Sequence, residues 1–470
     1  MRTKKTLLPI NKLVIDGIAQ KGKGVGRTDD GQVVFVQGAI PGDVVDVTIL
    51  KKRRRHLEGR IKTLHKESPD RIEPKCTHFG ICGGCSWQQM SYEAQLKHKQ
   101  KEVNDALSRI GDVDVNEYAP IIGCSDTFAY RNKMEFSFSA RRWLTFEEIN
   151  GDNKVEDKTA LGFHIPGMWD KIVDIEHCHI QPEFPNEIRN AVKAYARKEN
   201  LSFFDARDKE GFLRTLMIRS TQLGEIMVVF QFFHEDVEAR EGLLNHLVDQ
   251  FPNITSLQYI INEKANDSIY DQDLHCFKGS NYITEHIGKL QFRITPKAFY
   301  QTNPVQAEVL YAKALELAAI DTSAVVYDLY TGLGTIAQYI AHRCKKVVGV
   351  ESVPDAVVAA KENARRNGIN NAVFEVGDMR KVFKDGFVKK HGSPDLIIVD
   401  PPRDGMHKDV IEQLLKVKSP KILYISCNPS TQARDLAILK TQYIVEISQA
   451  VDMFPHTQHV ENIVLLKCKS

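Results

Sequence analysis

The chain has 470 residues, 42% of them hydrophobic and 26% charged. That length suits roughly three domains of about 100–200 residues, and the composition excludes a fully disordered or collagen-like chain. The net charge of +2 conceals an asymmetry: residues 1–66 carry 15 Lys/Arg against 6 Asp/Glu, a local +9 on a body that sums to −7.

No run of about 18 apolar residues occurs, which excludes a transmembrane helix. The apolar stretch after the basic start is too short for a signal peptide. A cytoplasmic location is expected, where the nine cysteines are thiols, metal ligands or catalysts rather than disulfides.

In chain order, Lys12-Leu-Val-Ile15, Val33-Val-Phe-Val36, Val44-Val-Asp-Val-Thr-Ile49 and Leu57-Glu-Gly-Arg-Ile61 are short β-type runs. Gly22, Gly24, Gly26 and Pro41-Gly42 punctuate them, which predicts a small antiparallel barrel. The cluster Lys51-Lys-Arg-Arg-Arg55 falls at a hairpin tip between the last two strands. A polyanion is the first partner such a module suggests.

Ser68-Pro69-Asp70 marks a boundary, followed by Cys76-x5-Cys82-x2-Cys85. Three thiols so close suit a metal, with Cys178 as the candidate fourth ligand. Four thiolates fit a cubane iron–sulfur cluster or structural zinc, and the spacing does not decide between them. A helical stretch runs from about Tyr92 to Arg109, and residues 125–290 read as an α+β domain. The last 150 residues alternate apolar runs, Val325–Tyr330, Lys346–Val350, Ala372–Val376, Leu396–Val399 and Ile422–Ile425, with segments such as Pro354–Asn367 and Thr431–Leu439. This is β-α-β repetition around a buried parallel sheet.

The first of these strands leads into Asp328-Leu-Tyr-Thr-Gly-Leu-Gly-Thr-Ile-Ala337. Gly332 and Gly334 permit a tight turn and close approach of a ligand. Glu351 ends the next strand, 17 residues after Gly334, where its carboxylate can accept both hydroxyls of a ribose. The loop alone suits NAD or S-adenosylmethionine. Later strand ends favour the second: one finishes in Asp400-Pro-Pro-Arg-Asp-Gly405, the next in Ser426-Cys-Asn-Pro429. Hydride transfer needs no thiol there. Methyl transfer to C5 of uracil does, because a thiolate adding to C6 makes C5 nucleophilic. The place of Cys427 at a strand tip before a helix predicts exposure and a lowered pKa. The segment Asp452–Glu461 offers Glu461, His456 and His459 for removing the C5 proton, and Glu461 lies before the apolar run Asn462-Ile-Val-Leu-Leu466.

Together these residues resemble the RNA 5-methyluridine methyltransferases, in particular the iron–sulfur branch acting on large-subunit ribosomal RNA. The resemblance covers nearly the whole chain. Its most specific marks are Cys76-x5-Cys82-x2-Cys85, Phe299-Tyr-Gln-Thr-Asn303, Asp400-Pro-Pro-Arg403, Ser426-Cys-Asn-Pro429 and His459-Val-Glu461. The basic module looks like a TRAM domain, and Tyr130-Arg-Asn-Lys133 and Leu213-Arg214 look like central-domain motifs of the family. Thr331 departs from many members, which have a cysteine before the first glycine.

The resemblance implies that Cys427 is the nucleophile and Glu461 the base. Gln301, Tyr330, Glu351 and Asp400 would contact S-adenosylmethionine or the target uracil, with Gly332 and Gly334 in the cofactor loop and Asp378 near the adenine. Cys76, Cys82, Cys85 and Cys178 would hold a [4Fe–4S] cluster. The expected fold is α/β: a TRAM-like barrel over 1–67, an α+β central domain over 68–295, and a Rossmann-like methyltransferase domain over 296–470. A helix near 92–123 would pack on the last domain.

The function expected is C5-methylation of a uridine in 23S ribosomal RNA by a monomer without membrane attachment. Asp400 accepting the uracil N3 hydrogen would favour uracil over cytosine. The rivals are methylation of the transfer-RNA T-loop uridine, an NAD-dependent oxidoreductase, and an RNA chaperone on an inactive methyltransferase fold. Against the transfer-RNA reading stand the barrel and the cysteine cluster, which that branch usually lacks.

Overall fold

A computed structural model describes residues 9–19, 22–151 and 155–469, so the first eight residues of the basic module lie outside the described residues. The chain forms two compact units, Met1–Lys99 with Phe454–His459, and Gln100–Met453 with Val460–Ser470.

In the first unit, strands β1 (Ile10–Ile18), β2 (Gly24–Arg27), β3 (Val33–Gln37), β4 (Val44–Lys52) and β5 (His56–Lys66) close a barrel in the order β1-β2-β3-β5-β4. Alternation drives it: Leu13, Ile15, Val34, Val36, Val45 and Val47 point inward and form its core. The parallel pair β3–β5 closes the ring and leaves no free edge. Lys51–Arg55 are all exposed at the β4–β5 turn, as the sequence predicts. Beyond the barrel, Trp87 and Met90 from the cysteine-bearing segment pack with Ile40 and Ala94. Asp43 is fully buried and accepts the N–H groups of Ile40 at 2.8 Å and Ser68 at 3.0 Å, beside the Arg71 guanidinium.

The second unit holds two large sheets. The expected helix reaching 123 is corrected. The helix Tyr92–Asp105 continues as a single π-type turn, Ala106–Ile110, and residues Val115–Ile122 form strand β6. Pro120 is incompatible with a helix interior and is tolerated on a sheet edge, where β6 lies. The π turn still packs on the last domain, with Ala106 and Leu107 against Ala433 and Leu436 in one core.

The central sheet comprises β7 (Lys133–Ser139), β8 (Ala160–His164), β9 (Ile172–Asp174), β10 (Leu213–Ser220), β11 (Ile226–Phe232), β12 (Ser256–Ile261) and β13 (His275–Gly279), in the order β13-β12-β11-β10-β7-β8-β9. A ribbon of β14 (Ile283–Ile287) and β15 (Leu290–Ile294) follows.

The C-terminal sheet contains β16 (Val325–Leu329), β17 (Lys346–Glu351), β18 (Ala372–Val376), β19 (Leu396–Val399), β20 (Lys421–Ser426), β21 (Tyr443–Val451) and β22 (Glu461–Cys468). Its order is β18-β17-β16-β19-β20-β22-β21-β6. Strands β16–β20 match the five apolar runs of the sequence and are parallel. Strand order switches sides at β16, which lies between β17 and β19, the kind of switch point where ligands bind in such sheets. Strand β22 runs antiparallel between β20 and β21.

A buried network locks β22 in place. Asn462 Nδ2 donates to Gln432 Oε1 at 2.8 Å, and Ser448 Oγ donates to Asn462 Oδ1 at 3.0 Å. Gln432 Nε2 in turn donates to Tyr424 O at 3.0 Å. Truncation in Asn462→Ala orphans buried groups on Gln432 and Ser448. It should destabilise the protein by about 1–3 kcal/mol per group left unpaired. Urea unfolding with a wild-type midpoint would show that this network adds nothing.

Candidate active site

The glycine loop is closed upon itself. Asp328, fully buried in β16, accepts the Thr331 hydroxyl and the Ala337 N–H (3.1 Å) on Oδ2. Its Oδ1 is buried without a hydrogen-bond partner among the described residues. Burial, opposed by those bonds, pushes the carboxyl up to about 7. Tyr330 adopts φ +68°, the left-handed region that costs a non-glycine residue about 1–2 kcal/mol. Gly332 at φ +56° faces open space where a side chain would project, whereas a Cβ on Gly334 would lie 2.8 Å from the Phe374 ring. One glycine leaves a cradle and the other allows close packing.

Glu351 ends β17 as expected. Its Oε2 accepts the Gly332 N–H at 3.1 Å, and its Oε1 accepts the N–H groups of Ser352 at 2.7 Å and Val353 at 3.0 Å. The carboxylate is thus held rigidly beside the open face of Gly332. Asp378 caps the short helix after β18, and its pairing with Arg380 brings its pKa down to about 2. An open glycine cradle, a fixed carboxylate at the next strand end and an orphaned buried oxygen together suit an adenosine-bearing ligand.

Strand register creates the second half of the site. Ser426 of β20 pairs with Asn462 of β22. One step outward on each strand stand Cys427 and Glu461. Asp400 follows the last residue of β19. The Asp400–Gly405 loop is stitched to the turn after Cys427: Asn428 Nδ2 donates to Arg403 O at 3.0 Å and Thr431 Oγ1 to the same oxygen at 3.1 Å.

The electrostatics correct one expectation. The Cys427 thiol is not lowered but pushed up to about 11, chiefly by burial, then by the negative charges of Glu461 and Asp400. Its strand-tip position leaves it half-buried, so desolvation outweighs any gain from the following helix. Glu461 is buried and rises from 4.5 to about 8 by desolvation and by Asp400. Asp400 rises to about 7 by desolvation and by Asp328. The Arg403 charge opposes the rise at both Cys427 and Glu461.

Gln301 is half-buried on the segment before helix Pro304–Ala318. Its side chain acts on the phenol of Tyr311, which also meets Thr335 and feels the charge of Asp400. Gln301, Tyr330, Glu351, Asp400, Cys427 and Glu461 all lie in the second unit, connected by charge directly or through Tyr311 and Asp328. Asp328, Arg403 and Tyr311 were missed as site residues. Asp328 and Arg403 stand inside the motifs and were legible in principle, whereas nothing local marks Tyr311. His456 and His459 belong to the first unit, where His456 Nδ1 lies 3.2 Å from Gln95 Nε2.

Cys76, Cys82 and Cys85 belong to the first unit and Cys178 to the second. Among the described residues no group of three or more His, Cys, Asp or Glu is gathered as a metal site. The donor chemistry nonetheless suits thiolate ligation: Cys82 Sγ accepts the Gly84 N–H at 3.4 Å, and the Cys76 sulfur accepts from the His78 and Phe79 backbone. No helix of the described residues is long and apolar enough to cross a membrane.

The tRNA (uracil-5-)-methyltransferase family model matches residues 219–469, and the TRAM domain model matches residues 13–62. An uncharacterized RNA methyltransferase of Bacteroides thetaiotaomicron is 47% identical, over 96% of this chain and 100% of its own. One from Porphyromonas gingivalis is 49% identical, over 96% and 98%. Among solved structures, the Pyrococcus abyssi tRNA (uracil-54, C5)-methyltransferase in complex with S-adenosyl-L-homocysteine superimposes with a TM-score of 0.74 at 27% identity, over 97% of this chain and 100% of that one.

The raised pKa of Glu461 has a thermodynamic signature. Between pH 4.5 and about 8 the folded chain keeps a proton that the unfolded chain releases. The associated stability is complete below 4.5 and is lost as pH rises through about 8. Glu461→Gln should remove this loss, so its melting temperature should fall less than that of the wild type between pH 5 and pH 9. Parallel pH profiles would place Glu461 in a solvated setting.

Proposed function

Because the chain belongs to the tRNA (uracil-5-)-methyltransferase family and is an RNA methyltransferase, we propose that it methylates C5 of a uridine in 23S ribosomal RNA through a covalent Cys427 adduct. The observation that supports this most is the register that places Cys427 opposite Glu461 beside Asp400. S-adenosylmethionine supplies the electrophilic methyl group. Glu351 and the Gly332 cradle would bind its ribose, Asp378 would lie near its adenine, and Gln301, Tyr330, Gly334 and Asp400 would complete the contacts.

Cys427 Sγ gives its proton to solvent and bonds to C6 of uracil, and the C5–C6 π pair moves toward C5 and O4. C5 then takes the methyl group. Ionised Glu461 removes the C5 proton, and the C6–S bond breaks to restore the ring and the thiolate. A carboxylate with a pKa near 8 is a stronger base than a solvated one, which suits it to this proton. The target nucleotide must leave its stack to reach such a site. RNA containing 5-fluorouridine has no C5 proton to lose, so it should trap the enzyme as a denaturant-stable adduct. Cys427→Ala should give none. A wild-type enzyme that methylates uridine yet forms no adduct would exclude the covalent route.

Transfer RNA is the second reading, and one observation favours it. The Pyrococcus abyssi enzyme, named for tRNA uracil 54, matches 97% of this chain. The barrel therefore does not argue against transfer RNA, as the sequence reading had it. We place the protein in the cytoplasm as a monomer, with domains at 1–67, 68–295 and 296–470, the segment 106–122 of the middle stretch joining the last domain, and the exposed Lys51–Arg55 turn contacting RNA phosphates.

We further infer that Cys76, Cys82, Cys85 and Cys178 hold a [4Fe–4S] cluster, supported by their spacing and by the N–H groups that reach Cys76 and Cys82. The group would supply a structural staple or a redox-sensitive one. Anaerobically purified protein should contain iron and acid-labile sulfide and absorb broadly in the visible. Zinc without sulfide would overturn the cluster.

A further inference from the structure

Gln301 sits on a strap, residues 298–303, between the ribbon and helix Pro304–Ala318. The strap belongs to no sheet. Groups from elsewhere in the unit tie it down. Arg219, near the end of β10 in the central sheet, is 1% exposed. Its Nη1 donates to Ala298 O at 3.2 Å and its Nη2 to Tyr300 O at 3.0 Å. The guanidinium also lies 5.7 Å from the centre of the Tyr300 ring. Past Gln301, the Asn132 N–H donates to Thr302 O at 2.8 Å, and Asn303 Nδ2 donates to Met453 O at 3.0 Å. The backbone is therefore held on both sides of Gln301.

The side chain has a buried neighbour too. The phenol of Tyr311, 4% exposed, interacts with the side chains of Gln301 and Thr335. A carboxamide has a donor end and an acceptor end, and a half-turn exchanges them. A phenol that also meets Thr335 limits how the carboxamide can turn.

Arg219 is a costly way to fill space. Burying a guanidinium forfeits its hydration, and an apolar side chain of similar volume fills such a position without that loss. Arg219 makes no ion pair among the described residues; Glu285, fully buried, and Glu135 are the carboxylates whose charges act on it. What Arg219 has that an apolar residue lacks is a rigid fork matched to two carbonyls of the strap.

We propose that Arg219 and Tyr311 are positioning residues for Gln301, Arg219 fixing the backbone that carries it and Tyr311 fixing its carboxamide. This rests on the methyltransferase reading and deepens it: Gln301 meets cofactor and target base in one orientation because two residues outside the site impose it.

A double-mutant cycle tests the idea. Arg219→Lys keeps the charge and loses the fork; Tyr311→Phe removes a single hydroxyl. Each should lower kcat/KM for uridine methylation about 10- to 100-fold, the scale on which small misplacement of a reacting group is felt. In a Gln301→Ala background, each should lower it further by less than about twofold, the limit of additivity for independent sites. Undiminished penalties in that background would overturn the proposal, because a residue that only supports the fold is felt whatever stands at 301. If Arg219→Lys does not fold, Tyr311→Phe carries the same cycle alone. If Gln301→Ala methylates as the wild type does, the proposal also falls. A wild-type enzyme that makes no 5-methyluridine would overturn the functional reading instead. The same cycle read as affinity for S-adenosylhomocysteine would then decide the positioning claim, coupling supporting it and additivity overturning it.

Discussion

The pairing of Ser426 with Asn462 is the constraint on which the site depends. A parallel sheet alone brings the C-terminal ends of its strands to one edge. It cannot bring the start of a strand there. Strand β22 does so because it runs antiparallel, so its first residue, Glu461, arrives beside the end of β20 and Cys427. A slip of one residue would turn Glu461 to the other face of the sheet. The Asn462–Gln432–Ser448 network resists such a slip, since each of its buried groups is satisfied in one register.

That geometry creates an electrostatic problem as well as an opportunity. Two carboxyl groups and a thiol share a poorly solvated space: Asp400 makes ionisation of Glu461 harder, and both make ionisation of Cys427 harder. The resting thiol is accordingly protonated at neutral pH. A cation brought to this edge would favour the charged forms of all three groups. Arg403 already acts in that sense on two of them. Its loop is anchored through its own carbonyl to Asn428 and Thr431, which leaves the side chain free of that duty.

The glycine loop follows a different logic. It is stiff because Asp328 and Glu351 bind its backbone and side chains from two strands. Tyr330 pays a conformational cost to make the turn. Such strain persists only where surroundings over-determine it, and two backbone N–H groups bonded to Val350 O supply that determination.

Much of this was legible in the residues themselves. Short β-type runs between glycine turns marked the barrel strands, continuous apolar runs marked β16–β20, and Gly332, Gly334 and Glu351 announced a ligand at their ends. These signals are local, because side-chain periodicity and turn chemistry act within a few residues. Residues 115–122 show the limit: the sequence suggests a helix reaching 123, and only pairing with β21, more than 300 residues away in sequence, makes them a strand of the last sheet. The charge state of Cys427 shows it again. A strand tip before a helix suggested a lowered pKa, but burial and the arrival of Glu461 raised it. Arg219 and Tyr311 carry no motif at all. Their importance comes from which backbone and side chain they meet. Sequence by itself determined the elements and the chemical groups at their ends. Tertiary structure alone decided register, desolvation and long-range contact, because each depends on residues that the chain brings together only by folding.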